Sequence, residues 1–261
     1  MQEADASADR DLLIEAALKA GEIARRHFGK DPKVWDKGDG QGPVTEADLE
    51  IDAMLRRDLL AARPDYGWLS EESADDPDRL SRARVFVIDP IDGTRAFLAG
   101  ETTFSHSLAV VEDGVPFAAA IALPLKDRIY AAGRGCGATR NGHSITPSGR
   151  TVLDGAQVLG TKPSFRDAYW TDNAPPVTQK FVSSLAFRLA LVAEGRFDAM
   201  ITLRDAWEWD IAAGALLVTE AGGEVRDRRG GLLQFNNPHP QVDGVVAGTP
   251  AIQADLLSRL A

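Results

Sequence analysis

The sequence predicts an α/β protein, an α+β part to about residue 150 followed by an α/β part. Three observations carry this. Apolar residues recur at helical spacing in the first 60 positions, period-two apolar segments crowd between residues 85 and 133, and strand-like and helix-like segments alternate after Asn141-Gly142. With 261 residues, 44% of them hydrophobic and 26% charged, the chain has the composition of a globular protein. A chain of this length buries roughly 70 to 75% of its unfolded surface and forms one or two domains. We place the division as 1–150 and 151–261.

In residues 9 to 29, Leu12, Leu13, Ala16, Ala17, Ala20, Ile23, Ala24 and Phe28 fall on one helical face, and Gly29 stands at the C-cap position. The segment DKGDGQGPV, residues 36 to 44, reads as a mobile loop. It leads to Thr45, which can cap a second helix carrying Ile51, Met54, Leu55 and Leu59. Four strands follow at VFVID (85 to 89), HSLAVV (106 to 111), VPFAAAIAL (115 to 123) and DRIYAAG (127 to 133), the last three as an antiparallel meander. Asn141-Gly142 is a strong turn signal. Beyond it come a strand at AQVLG from 156, a helix near 180 to 194, a strand near 198 to 202, a helix over 211 to 221, a strand at VDGVVAG and a terminal helix.

Charge and cysteine usage exclude several classes. The 29 Lys+Arg against 39 Asp+Glu leave a formal net charge of −10, which argues against duplex nucleic acid or an anionic membrane as partner, since both select a basic face. The single Cys136 permits no intrachain disulfide and no cysteine-based metal site. The first residues are acidic where a secretory signal is basic, and the longest apolar run, Phe117 to Leu125, falls short of the ~20 residues a bilayer requires. The expectation is a soluble cytoplasmic protein.

Four clusters could carry chemistry. In VFVIDPIDGTRAF an apolar strand ends in Asp89 and Asp92 around Pro90, followed by Gly93-Thr94. Carboxylates at the C-terminal end of a strand point into the crevice where open α/β sheets bind ligands, and a Gly-hydroxyl pair leaves backbone N–H groups for a phosphate. A turn with Asp side chains bonded to the backbone explains the same residues. Asp210 precedes the helix that Gly222-Gly223 close, as an N-cap, a cation ligand or both. Glu71, in Leu69-Ser70-Glu71-Glu72-Ser73, adjoins the acidic run Asp75, Asp76 and Asp78, by default a solvated loop. Thr45-x-x-Asp48 has capping-box spacing. Jointly, Glu71, Asp89, Asp92 and Asp210 are oxygen ligands with no His or Cys beside them, the set a hard cation such as Mg²⁺ prefers. Gathered within a few Å they cannot all ionise without a cation. Nucleophilic alternatives are weak: no G-x-S-x-G elbow or Walker A motif occurs, and neither Cys136 nor the four His residues form a recognisable pair.

Glu71-Glu72-Ser73, Asp89-Pro90-Ile91-Asp92-Gly93-Thr94 and Trp209-Asp210-Ile211-Ala212-Ala213-Gly214 resemble the three signature motifs of the inositol monophosphatase family, in its order and approximate spacing. The similarity in layout covers about residues 9 to 260. It implies a layered αβαβα sandwich of the inositol monophosphatase type with the site between two domains. It further implies two or three Mg²⁺ ions held by Glu71, Asp89, the Ile91 carbonyl, Asp92 and Asp210, with inhibition by Li⁺. Gly93 and Thr94 would give backbone N–H groups to the phosphate, Thr94 with Glu71 would help activate the attacking water, and Asp48 would orient the Thr94 hydroxyl.

The substrate implied is a small phosphate ester, and the partner a second copy in a homodimer. An acidic residue that binds ring hydroxyls in the inositol enzymes is matched by Thr202 or Leu203, with Asp205 as a substitute if the loop is shifted. Arg95, the stretch Ser183-Ser184-Leu185-x-Phe187, Lys162 and Arg204 are more like the bisphosphate nucleotidases, where a second phosphate needs a cation. Lys162 and Arg204 are equally explained as surface charges. The expected substrate is therefore a 3'(2'),5'-bisphosphate nucleotide such as 3'-phosphoadenosine 5'-phosphate, then myo-inositol phosphate, histidinol phosphate or fructose bisphosphate. A non-catalytic regulatory partner on the same fold is the reading from a different class. The intact ligand set counts against a purely structural role.

Overall fold

The structure, a computed structural model, describes residues 2–38 and 42–261. Helix α1 (Gln2–His27) starts well before residue 9; Glu3 and Asp5 of its first turn are exposed, while Ala6 is buried. Asp9 is buried and accepts from Arg63 Nε (2.9 Å) and the Tyr66 hydroxyl (2.8 Å). Gly29 follows the last turn at φ +69°, the left-handed conformation that ends helices. The expected mobile loop is ordered at both ends: β1 (Val34–Asp36) pairs antiparallel with β2 (Pro43–Thr45), while residues 39–41 lie outside the described residues. Helix α2 (Glu46–Ala62) opens with the capping box, Thr45 Oγ1 accepting from the Ala47 and Asp48 amides and Asp48 Oδ2 from Thr45 N at 2.9 Å.

Strands β3 (Gly67–Ser70) and β4 (Arg84–Asp92) are parallel neighbours, and β4 leads into the short helix α3 (Thr94–Leu98). Strands β5 (Ser105–Glu112), β6 (Val115–Leu123), β7 (Arg128–Gly133), β8 (Ala138–Arg140) and β9 (His143–Ser144) extend the sheet in sequence order, each antiparallel to the last. The meander is as expected. Asn141 and Gly142, at φ +50° and +79°, make the two-residue turn between β8 and β9.

A second sheet has the order β11-β10-β12-β16-β14, from β10 (Gln157–Leu159), β11 (Thr178–Lys180), β12 (Ala199–Thr202), β14 (Glu224–Arg226) and β16 (Val245–Gly248). Helix α4 (Leu185–Ala193) starts later than expected. Residues 178–180 are strand, and Ser184 is the N-cap, its Oγ accepting from Phe187 N at 2.9 Å. Strands β13 (Ala206–Trp207) and β15 (Gln241–Val242) form a separate pair. The expected strand VDGVVAG is interrupted at Gly244 (φ +68°), leaving β15 and β16 on either side. Helix α5 (Glu208–Glu220) starts before residue 211, and α6 (Pro250–Arg259) closes the chain.

Strand alternation sorts the apolar residues into layers. Phe86, Ile88, Leu108 and Val110 face α1 and α2, whereas Val85, Val87, Ala109 and Val111 face α4 and α5. The second sheet covers the far side of α4 and α5 with Leu159, Met200, Val245 and Ala247, and turns Val158, Ala199, Ile201 and Val246 toward Ile252 and Leu256 of α6. The stack is helix, sheet, helix, sheet, helix, the αβαβα sandwich. Its tightest point is Gly214 of α5, where an added Cβ would lie 2.5 Å from the Leu189 side chain on α4, so only glycine lets the two helices approach this closely. Among the described residues no helix is long and apolar enough to cross a membrane.

Candidate active site

A strand points alternate residues to opposite faces, so Asp89 and Asp92, three apart, should oppose one another. They do not, because β4 bulges. The β4–β5 register runs one for one to Asp89↔Ser107 and resumes at Asp92↔Ser105, leaving Pro90 and Ile91 opposite the single residue His106. The extra residue shifts the alternation: Ile91 packs with the α1/α2 layer, while Asp92 turns to the α4 side, where Oδ2 accepts from Ser184 Oγ (2.5 Å) and Ala186 N (2.7 Å). Both carboxylates thus meet α4 and α5.

Asp210 approaches from the first turn of α5. It is not the N-cap. Trp207 occupies that position with no side-chain cap bond, and the turn is held by the buried Glu208, whose carboxylate accepts from Asn236 N (2.6 Å) and Asn237 N (2.9 Å) across the connecting loop. Gly222 ends the helix at φ +97°, as expected. Glu71 comes off the end of β3, where Asp52 of α2 anchors the loop by accepting from Ser70 Oγ (2.5 Å) and from Ser73 Oγ. Ligand oxygens of Glu71, Asp89 and Asp210 lie within 4.8 Å of one another.

This arrangement is electrostatically costly without a cation. Burial, and then the charges of Glu71 and Asp92, hold the Asp89 carboxyl well above its ordinary range, and burial followed by Asp92 does the same to Asp210. Asp92 is pushed up to about 6 by burial despite the donors from Ser184 and Ala186. Asp89 Oδ1 is buried with no hydrogen-bond partner among the described residues. An orphan carboxylate oxygen facing two further carboxylates fits a hard divalent cation, which accepts oxygen ligands of this type.

Thr94 Oγ1 lies 3.2 Å from the Ile91 carbonyl and 3.3 Å from Asp48 Oδ1, so the capping carboxylate of α2 also reaches the DPIDGT segment. Burial pushes Asp48 up to about 6. Gly93 takes φ +101°, a conformation that favours glycine, and turns the chain from β4 into α3. Lys37, not singled out in the sequence, donates from Nζ to Glu71 Oε1 (2.7 Å) and Glu72 Oε1 (2.6 Å). Burial opposes its charge, but Glu71 and Glu72 outweigh burial and raise its pKa. One ammonium cannot neutralise two carboxylates, and burial followed by the Glu71 charge pushes Glu72 up to about 8. A lysine in a Gly-rich loop gives no sequence signal. Asp52 does, one helical turn after Asp48 on the buried face of α2.

The cluster opens into a cleft of about 570 Å³ whose lining includes Gly93, Thr94, Arg95 and Ala96 around the start of α3. Arg188, Arg204, Asp205 and Trp207 also line it, as does the exposed Phe181. Arg188, not foreseen, is 4% exposed, donates to the Val182 and Ser183 carbonyls and stacks its guanidinium 4.6 Å from the Phe181 ring centre. Trp207 stacks on Trp209 at 4.8 Å with 7° between the planes. Arg204 and Asp205 both line the cleft. Ser184 does not line it: it is fully buried and bonded to Asp92 and to Ser105 Oγ (2.9 Å). Lys162 is exposed on the turn Lys162–Phe165 and is not among the lining residues.

Five alternating layers frame a carboxylate cluster at a strand end beside a helix start, and similarity to known proteins makes the chain a phosphoric monoester hydrolase. The sequence model of the inositol monophosphatase family matches residues 5–261, and the chain belongs to that family. It is 34% identical to the inositol-1-monophosphatase of Mesorhizobium japonicum over 96% of this chain and 95% of that one. It is 35% identical to the Nus factor SuhB of Pseudomonas aeruginosa, over 96% and 94%. Among solved structures, the Thermotoga maritima IMPase superposes with a TM-score of 0.81 at 28% identity, over 95% of this chain and 94% of that chain.

Proposed function

We propose that the protein is a Mg²⁺-dependent phosphomonoesterase acting on a small phosphate ester that carries a second anionic group, 3'-phosphoadenosine 5'-phosphate or a related bisphosphate nucleotide. The observation that carries this reading is one cleft lined both by the Glu71–Asp89–Asp210 cluster and by three arginines, Arg95, Arg188 and Arg204. Glu71, Asp89, the Ile91 carbonyl, Asp92 and Asp210 would hold two or three Mg²⁺ ions. When bound, such ions lower the pKa of the attacking water and stabilise charge on the leaving oxygen. The chain does the rest. The first amides of α3 have no acceptor within the helix and meet the phosphate beside Gly93 and Thr94. Asp48 orients the Thr94 hydroxyl toward the water that Glu71 helps to deprotonate. Arg204 and Arg188 bind the second phosphate, and the exposed Phe181 ring offers a flat surface for a base.

Asp205 favours a second reading, inositol monophosphate, because a carboxylate at the rim accepts hydrogen bonds from ring hydroxyls; an inositol-1-monophosphatase among the relatives supports it. Phosphate release with Mg²⁺, measured across 3'-phosphoadenosine 5'-phosphate, myo-inositol phosphate, histidinol phosphate and fructose bisphosphate, decides between them. The expected result is the highest kcat/KM for the bisphosphate nucleotide, with inhibition by Li⁺. A dominant kcat/KM for inositol phosphate overturns the first reading. The resemblance further supports a homodimer, which light scattering of the purified protein tests.

A further inference from the structure

The bulge in β4 takes two residues out of the ladder, and the carbonyl of Pro90 is bonded from an unusual place. His106, the one residue opposing the bulge, brings Nδ1 to 2.5 Å from Pro90 O. A carbonyl oxygen only accepts, so His106 carries its proton on Nδ1. Its neighbours Ser105 and Ser107 turn their hydroxyls to Ser184 and to the Trp209 carbonyl, in the layer of α4 and α5. Alternation therefore turns the imidazole the other way, where it is fully buried with Phe104 edge-on at 6.2 Å. There its Nε2 has no partner among the described residues. Burying an orphan acceptor is unfavourable, and an aliphatic side chain in the same space would avoid it. What an aliphatic side chain cannot do is donate to Pro90 O.

We infer that His106 is a positioning residue of the cleft, whose Nδ1–H holds the Pro90 carbonyl and so fixes the bulge that brings the Ile91 carbonyl and Asp92 beside Asp89. It touches neither substrate nor cation and acts through the backbone of residues 90–92. The inference rests on the divalent-cation reading of the cleft.

The test compares His106→Leu, which removes both donor and orphan, with His106→Asn, which keeps an N–H donor on the same branch. Three readouts are taken: Mn²⁺ affinity by electron paramagnetic resonance, the thermal midpoint of the metal-free protein, and the tautomer of His106 by nitrogen NMR of the wild type. We expect an Nδ1–H tautomer and a His106→Leu protein that melts no lower than wild type yet binds Mn²⁺ about tenfold more weakly, the scale for groups that orient metal ligands. Asn should restore affinity to within about threefold on the same scale. Wild-type Mn²⁺ affinity in His106→Leu overturns the inference, as does an Nε2–H tautomer, or an equal loss of midpoint and affinity in both variants. Should His106→Leu not fold, the NMR and His106→Asn decide: near-wild-type affinity supports the role and a tenfold loss refutes it. A wild type that binds no Mn²⁺ refutes instead the cation reading, and the inference with it.

Discussion

The floor and the rim of the cleft are built differently. The floor residues Asp48, Asp89 and Asp92 are at most 7% exposed, and each is fixed by regular structure: a capping box, a strand and a bulge whose far side bonds α4. At the rim, Phe181 is 60% exposed, and Arg204 and Asp205 stand exposed between β12 and β13. Loop-borne rim groups can change without disturbing a core, whereas a floor carboxylate cannot move without moving a sheet. On the proposed function, this contrast puts the chemistry in the floor and the choice of leaving group in the rim.

The sharpest way to break this comparison is at Asp92. Asp92→Asn retains an acceptor for Ser184 Oγ and Ala186 N, so the fold should survive, while a proposed cation ligand loses its charge. Mg²⁺-dependent phosphate release should fall roughly 10³-fold, the scale for a lost electrostatic stabiliser, for every substrate alike. Full turnover in a folded variant would remove Asp92 from the metal set.

The same contrast explains what could be read in advance. Glu71, Asp89, Asp92, Thr94 and Asp210 stand in short contiguous motifs, so their gathering at one cleft was legible. So were β6, whose limits agree, and the capping box at Thr45. Long-range partners were not. Lys37 reaches Glu71 and Glu72 from a β1–β2 hairpin that the Gly-rich composition concealed. Asp210 looked like a cap because the real start of α5 is held by loop amides on Glu208, contacts made 28 and 29 residues along the chain. The bulge is invisible as well, since nothing in DPID states that two residues face one.

Rim substitutions should act selectively and less strongly. Arg204→Ala is expected to reduce kcat/KM for 3'-phosphoadenosine 5'-phosphate by about 10- to 100-fold, the loss of one charge-assisted contact, while changing inositol phosphate hydrolysis little. Lys162→Ala, on an exposed turn away from the cleft lining, should change neither by more than about twofold, as surface substitutions generally do. Kinetics on the two substrates decide. An equal loss on both would show that Arg204 serves the reacting phosphate, and the floor and rim would no longer divide as described.

The smallest effect is one of stability, and it isolates the floor. Asp48 and Asp92, raised by burial from 3.8 to about 6, keep protons in the metal-free folded state where the unfolded chain has released them. Their contribution is full below the unfolded value and is lost as pH rises through about 6; Glu72, raised to about 8, continues the loss. His106, lowered by burial to about 4, works in the opposite direction below its ordinary value of 6.5, so the melting curve of the free protein mixes the two. Mg²⁺ separates them. A cation binds the ionised carboxylates and leaves His106 as it was, so the midpoint gained on adding Mg²⁺ should be larger at pH 8 than at pH 6, by a few degrees at roughly 1 kcal/mol. Differential scanning fluorimetry with Mg²⁺ and with a chelator measures it. A gain that stays level or shrinks with rising pH would mean that the buried carboxylates are not what the cation engages.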